Sequence, residues 1–149
     1  MINDKLKVRG SVTLRLIRED GTVVTHEENI VTTVGLGMLT SRFIEASTAV
    51  LSHLALGTSV TTAAREQTTL GSEIERNALA SITRLTTTNL NDTIQYTCTF
   101  GPSEATGAIT EAGIFNAAFS GDMSNRVVFP VINKGASDTL ALDWRIIFS

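Results

Sequence analysis

Cysteine, proline and aromatic residues are all scarce in this sequence, and each scarcity removes a class of protein. One cysteine, Cys98, cannot close an internal disulfide or build a thiolate metal cluster, so neither a disulfide scaffold nor a zinc module is available. No apolar run approaches the roughly 18 residues of a membrane span, and the first nine residues lack the apolar stretch of a signal peptide. Basic residues are not in excess: twelve Lys and Arg against fifteen Asp and Glu give a net charge of −3, which opposes general attraction to nucleic acid or to an anionic membrane. The expectation is a soluble, cytoplasmically made protein with no nucleic-acid or membrane partner. At 149 residues without a repeat or low-complexity tail, the chain fits a single domain, 1–149, long enough to bury a core.

Threonine is what the chain has in abundance, 22 residues. Its β-branched side chain is stiff and suits a pleated surface, while its hydroxyl keeps the outer face wet. Alternation supports the same fold. Over residues 6–18, Leu6, Val8, Val12, Leu14 and Leu16 alternate with Lys7, Arg9, Ser11, Thr13 and Arg15, the period of two that only a strand converts into two faces. Gly10 on the apolar side suggests a bulge or bend. Glu19, Asp20 and Gly21 form a turn, and a three-residue loop here sets Val24 near Leu16 and Ile30 near Gly10.

Thr32 and Thr33 are N-cap candidates for a short helix running to Ile44, despite a cost of roughly 1 kcal/mol for each of Gly35 and Gly37. Leu39, Phe43 and Ile44 are expected to plug one open end of the fold. Residues 52–56 form a short strand ending at Gly57, followed by an aperiodic loop over 58–69; loops of that length commonly carry function. A strand or strand pair spans 73–88, a turn 89–92, and then Ile94, Tyr96, Cys98 and Phe100 face inward together. A second loop covers 101–110, strands 109–115 and 126–132 flank a turn at 120–125, and Pro130 marks an edge or a bulge. In the last strand Leu140, Leu142, Trp144, Ile146 and Phe148 face one way; their burial is worth on the order of 8 to 15 kcal/mol before entropy is subtracted. The pattern predicts an all-β protein, an antiparallel β-sandwich of roughly eight strands with one short helix.

Chemistry is hard to find. His26 and His53 lie in strands, neither beside a nucleophile or a carboxylate pair, whereas an acid–base dyad needs both within hydrogen-bond reach. Gly35-Leu36-Gly37 lacks the rest of a phosphate loop and suits a helix start instead. The carboxylates are scattered: Glu73 and Glu75 share a strand face, Glu104 and Glu111 flank a loop, and Asp138 and Asp143 bracket the start of the last strand, with no calcium-loop spacing. No catalytic, metal or cofactor residue is assigned. Lys5, Lys7, Arg9 and Arg15 project from the polar face of the first strand, either toward an anionic partner or toward Glu27 and its neighbours across the hairpin.

Several segments, in this order, carry a resemblance. Asn29-Ile30-Val31-Thr32-Thr33-Val34-Gly35 follows a Gly-containing hairpin, Leu54-Ala55-Leu56-Gly57-Thr58-Ser59 opens a Thr/Ala-rich loop, and Thr69-Leu70-Gly71-Ser72-Glu73-Ile74-Glu75-Arg76 closes it. Ile109-Thr110-Glu111-Ala112-Gly113-Ile114-Phe115, Asn125-Arg126-Val127-Val128-Phe129 and Asp138-Thr139-Leu140-Ala141-Leu142-Asp143-Trp144 complete the set. Together they resemble small structural proteins of tailed-bacteriophage virions across residues 8–148. Ser59 departs from the glycine expected there, which implies a stiffer loop. The resemblance implies a non-enzymatic part of the virion, in the tail, neck or collar, or fibre region, or a capsid cement protein, whose partners are further copies of itself and other virion proteins. It supplies no catalytic residues. A Thr-rich wet surface and two long loops suit such assembly, and Thr58, Val60, Thr61, Thr62, Arg65, Pro102, Glu104 and Thr106 are the candidate interface residues. The alternatives are a carbohydrate-binding sandwich, which needs exposed aromatic platforms, and a hydrolase, which needs a convergent acid, base and nucleophile.

Overall fold

A computed structural model describes residues 5–44 and 48–149. It contains nine strands and one helix: β1 (Val8–Arg18), β2 (Gly21–Val31), α1 (Thr33–Ile44), β3 (His53–Gly57), β4 (Glu73–Ala78), β5 (Ser81–Leu85), β6 (Thr93–Phe100), β7 (Gly107–Phe115), β8 (Met123–Lys134) and β9 (Thr139–Phe148). All strand pairs are antiparallel, and the strands form one continuous sheet in the order β4-β3-β7-β8-β2-β1-β9-β6-β5. The all-β architecture with a single short helix therefore stands, with one more strand than the turn signals suggest because the 73–88 segment divides between the two ends of the sheet.

The sheet curls so that two halves face each other. The first half is β2-β1-β9-β6-β5 and the second is β4-β3-β7-β8. They join at one corner through the end of β2, whose Ile30 and Val31 pair with Arg126 and Asn125 of β8. At the opposite corner the chain passes from β4 to β5 in two residues: the Leu79 amide still donates to Ser52 O (2.9 Å) beside β3, and the Ala80 amide donates to Thr97 O (2.8 Å) in β6. One apolar cluster fills the space between the halves, with Leu14, Phe100, Leu140 and Trp144 from the first and Leu54, Leu56, Ile109 and Ile114 from the second, all fully buried. Alternation in β1, β6 and β9 predicted their inward residues, Cys98 included, but Leu6, expected on the same face, lies ahead of β1 and is exposed. Burial pushes the Cys98 thiol up to about 12, although the Thr99 amide pulls the other way, so it is a core residue rather than a reactive one.

The hairpin register differs from expectation. Arg18 pairs with Gly21 and Leu16 with Val23, so only Glu19 and Asp20 form the loop. Gly21, at φ 146°, belongs to the strand rather than to the loop. The one-residue shift exchanges the faces of β2: Val24 lies opposite Arg15 rather than near Leu16, and Ile30 pairs with β8. Glu27 sits opposite Val12 on the core-facing side, away from the basic residues. Arg15 instead pairs with Asp143 of β9 (2.7 Å) and Arg18 with Asp138 (3.3 Å). Gly10 holds its place in both ladders and marks a close approach instead of a bulge, since a Cβ there would overlap the Asn29 side chain.

Thr32 caps α1. Its hydroxyl accepts from the Gly35 amide (2.9 Å) and donates to Met123 O of β8 (2.6 Å), which couples the helix start to the sheet. Gly35 is required at this seat because a Cβ would strike the Ser124 backbone. The helix does not plug the fold as expected. Met38 and Leu39 are half-buried, but Phe43 and Ile44 are 85% and 84% exposed.

Candidate functional site

The 58–69 loop is not a free connection at a strand end. Charged and apolar residues on the outer face of the second half-sheet hold it down. Between Ile109 and Glu111 of β7 the pairing with β8 slips, opposite Pro130, which agrees with the bulge expected at that proline. Beyond the slip Ala112 and Ile114 face the core, while Glu111 and Phe115 face outward, where Ala55, Leu70, Phe115 and Met123 make a second small apolar cluster. Leu70 is the loop's apolar anchor in it.

Beside that cluster lies a buried ion pair. Glu111 and Arg126 are 2.8 Å apart, their side chains 0% and 1% exposed. The Glu111 carboxylate accepts from the Arg126 guanidinium, from the amides of Ser72 (2.7 Å) and Gly71 (3.0 Å), and from the Ser59 amide (3.2 Å). Arg126 Nη1 donates to Thr61 O and to Gln67 Oε1, each at 2.9 Å. Gly57 is needed beneath them because a Cβ would collide with the Glu111 carboxylate. Burial alone would raise the Glu111 pKa, but the amides of Gly71 and Ser72, Arg126 and the Ser59 amide together hold it below its ordinary value. The carboxylate stays ionised, paired and fully satisfied, a condition a buried charge requires.

Two further ties complete the layer. Thr110 Oγ1 donates to Ser59 O (2.9 Å), and the Thr33 amide at the start of α1 donates to Arg65 O (2.8 Å). The backbone of the loop is thus held from both ends and the middle, while the side chains of Thr58, Val60, Thr61, Thr62 and Arg65 are exposed. Across the same face Arg76 lies over the Phe115 ring at 3.7 Å and donates to Ala117 O and Ser120 O, which holds the β7–β8 turn.

The second candidate loop, 101–106, is built differently. Pro102 and Thr106 are exposed and Glu104 is half-buried. Glu104 closes its own turn, accepting from the Gly101 amide (2.6 Å) and from Asn77 Nδ2 (3.1 Å). Lys134, 2% exposed, donates to Gly101 O (2.8 Å); burial lowers its pKa against the opposing pull of Asp138, Glu104 and Glu75. The candidate residues therefore form two patches with separate supports, the first on Glu111, Arg126 and α1, the second on β4, β6 and the end of β8.

Sequence reasoning placed Glu111 as a carboxylate flanking a loop and gave Arg126 no role. The available signal was one charged residue in each of two otherwise apolar or small strand runs, 109–115 and 123–129, where a solvated charge has no place. Among the described residues His26 hydrogen-bonds Thr13 Oγ1 across the β1–β2 ladder and His53 hydrogen-bonds the neighbouring Ser52 Oγ, both at 2.8 Å. Among the described residues no group of three His, Cys, Asp or Glu side chains is placed to hold a metal ion, and no helix is long and apolar enough to cross a membrane. Comparison with known proteins gives no matching family model, no matching curated protein and no matching solved structure.

Proposed function

We propose that the chain is a non-enzymatic structural component of a tailed-phage virion, self-associating and docked on other virion proteins in the tail, neck or fibre region, and acting by surface complementarity. The sequence resemblance supports the phage assignment. The observation that carries the mechanical part is the fastened 58–72 segment: its backbone is fixed by Glu111 and Arg126 while its side chains remain free. A contact surface already ordered in the free protein loses little conformational entropy on docking. The Glu111 carboxylate and the Arg126 Nη1 group hold the loop, which suits scaffolding. The carbohydrate-binding alternative is less well supported, since Trp144 and Tyr96 are buried and the exposed aromatics Phe43 and Phe119 stand singly on the helix end and the β7–β8 turn.

Mass photometry of the recombinant chain across concentrations, with mass spectrometry of phage particles that encode it, tests the reading. The expected result is a closed oligomer whose association weakens at least tenfold in a Val60→Asp, Thr62→Asp variant of unchanged Tm, and a fixed copy number in particles. A strict monomer that binds no virion component would overturn it.

A further inference from the structure

The end of the fold that α1 leaves unplugged holds a cavity of about 220 Å3. Its walls are apolar: Val8, Ile146 and Phe148 from the first half-sheet, Met38 and Leu39 from the helix, and Val31 from the corner. Tyr96, Ser124 and Arg42 break that lining. Tyr96 is 7% exposed and its ring borders the cavity, and Arg42, exposed on the last turn of α1, stands at the rim. The two are within electrostatic reach: burial raises the Tyr96 phenol to about 12, and the Arg42 charge opposes the rise. Arg42 is the cation among the lining residues.

Apolar walls with a single convergent cation recognise an apolar body that ends in an anion. Size narrows the class, since an apolar cavity of roughly 150 Å3 accommodates a benzene ring. We propose that this cavity binds a medium-chain carboxylate of on the order of eight carbons, scaled from that ring volume, with the chain between α1 and the β9 end and the carboxylate on Arg42. The inference is independent of the assembly reading.

The test is an amide chemical-shift titration of the full chain with sodium octanoate, octanol and sodium acetate. Octanoate should shift the amides of residues 38–42 and 146–148 saturably, and acetate should not. Arg42→Ala should weaken octanoate about tenfold, the worth of a charge-assisted hydrogen bond, and leave octanol unchanged; being exposed, the substitution leaves the core intact. Equal octanoate affinity in both proteins would overturn the proposal. So would unsaturable shifts spread over exposed apolar residues, or cavity amides that move on dilution and ignore octanoate, which would mean that a second copy fills the cavity.

Discussion

The two halves of the curled sheet treat their outer faces in opposite ways. The first half leaves its outer face to water, with Thr13, Thr97, Thr99 and the exposed Arg15–Asp143 pair upon it. The second covers its outer face with the 58–72 segment and fixes the cover with a fully buried ion pair. The difference teaches where polar groups matter energetically: an exposed pair is screened and replaceable, whereas a buried one, once formed, cannot lose a single partner cheaply.

Substitutions can break or sharpen that contrast. The largest effect is expected where both halves depend on one element. Deleting residues 140–149 removes β9, which pairs with β1 and β6 and carries the buried Leu140, Leu142, Trp144 and Ile146; no cooperative thermal transition should remain, and a cooperative melt of the truncation would refute this. Next comes the buried pair. Glu111→Ala or Arg126→Leu each leaves an uncompensated buried charge and should cost about 3–5 kcal/mol in urea unfolding, with the double substitution costing less than the sum. Gly57→Ala, which crowds the Glu111 carboxylate, should cost about 1–3 kcal/mol. On the first half, Arg15→Ala should cost less than about 1 kcal/mol, because its pair is 36% and 25% exposed.

How much of this was legible in the sequence follows the same division. β1, β6 and β9 have one wet face and one dry face, so their alternation is plain and their core residues can be named without a structure. In β7 and β8 both faces are buried over most of their length, the alternation vanishes, and Glu111 and Arg126 pass for ordinary surface charges. The hairpin register turned on whether Gly21 lay in the loop or in the strand, a choice of one residue that exchanges both faces and that the hydrophobic pattern of β2, polar on either side, does not decide. The candidate interface residues were correctly placed on loops, but the tethering of the first loop was invisible, since it depends on partners 39 to 65 residues away in the chain.

Acidification bears on both halves. The Glu111 pKa is lower in the folded protein than its ordinary 4.5, so its contribution to stability is complete above that value and is lost as pH falls through the folded pKa. Asp92 and Asp138 are shifted in the same direction, chiefly by the Asn89 and Gly135 amides respectively. Glu111→Gln should flatten the acid limb of the stability curve, as measured by urea midpoints at successive pH values.

Native-state hydrogen exchange at the amides of Ser59, Gly71 and Ser72 is the most direct measurement of whether the loop is built into the fold. Protection close to that of the β7 ladder is predicted in the wild-type chain, falling in Glu111→Ala to that of an open loop and by more than the protection of the β1 and β9 amides falls. Exchange of those three amides at the rate of an unstructured loop, with Glu111 intact, would contradict the account.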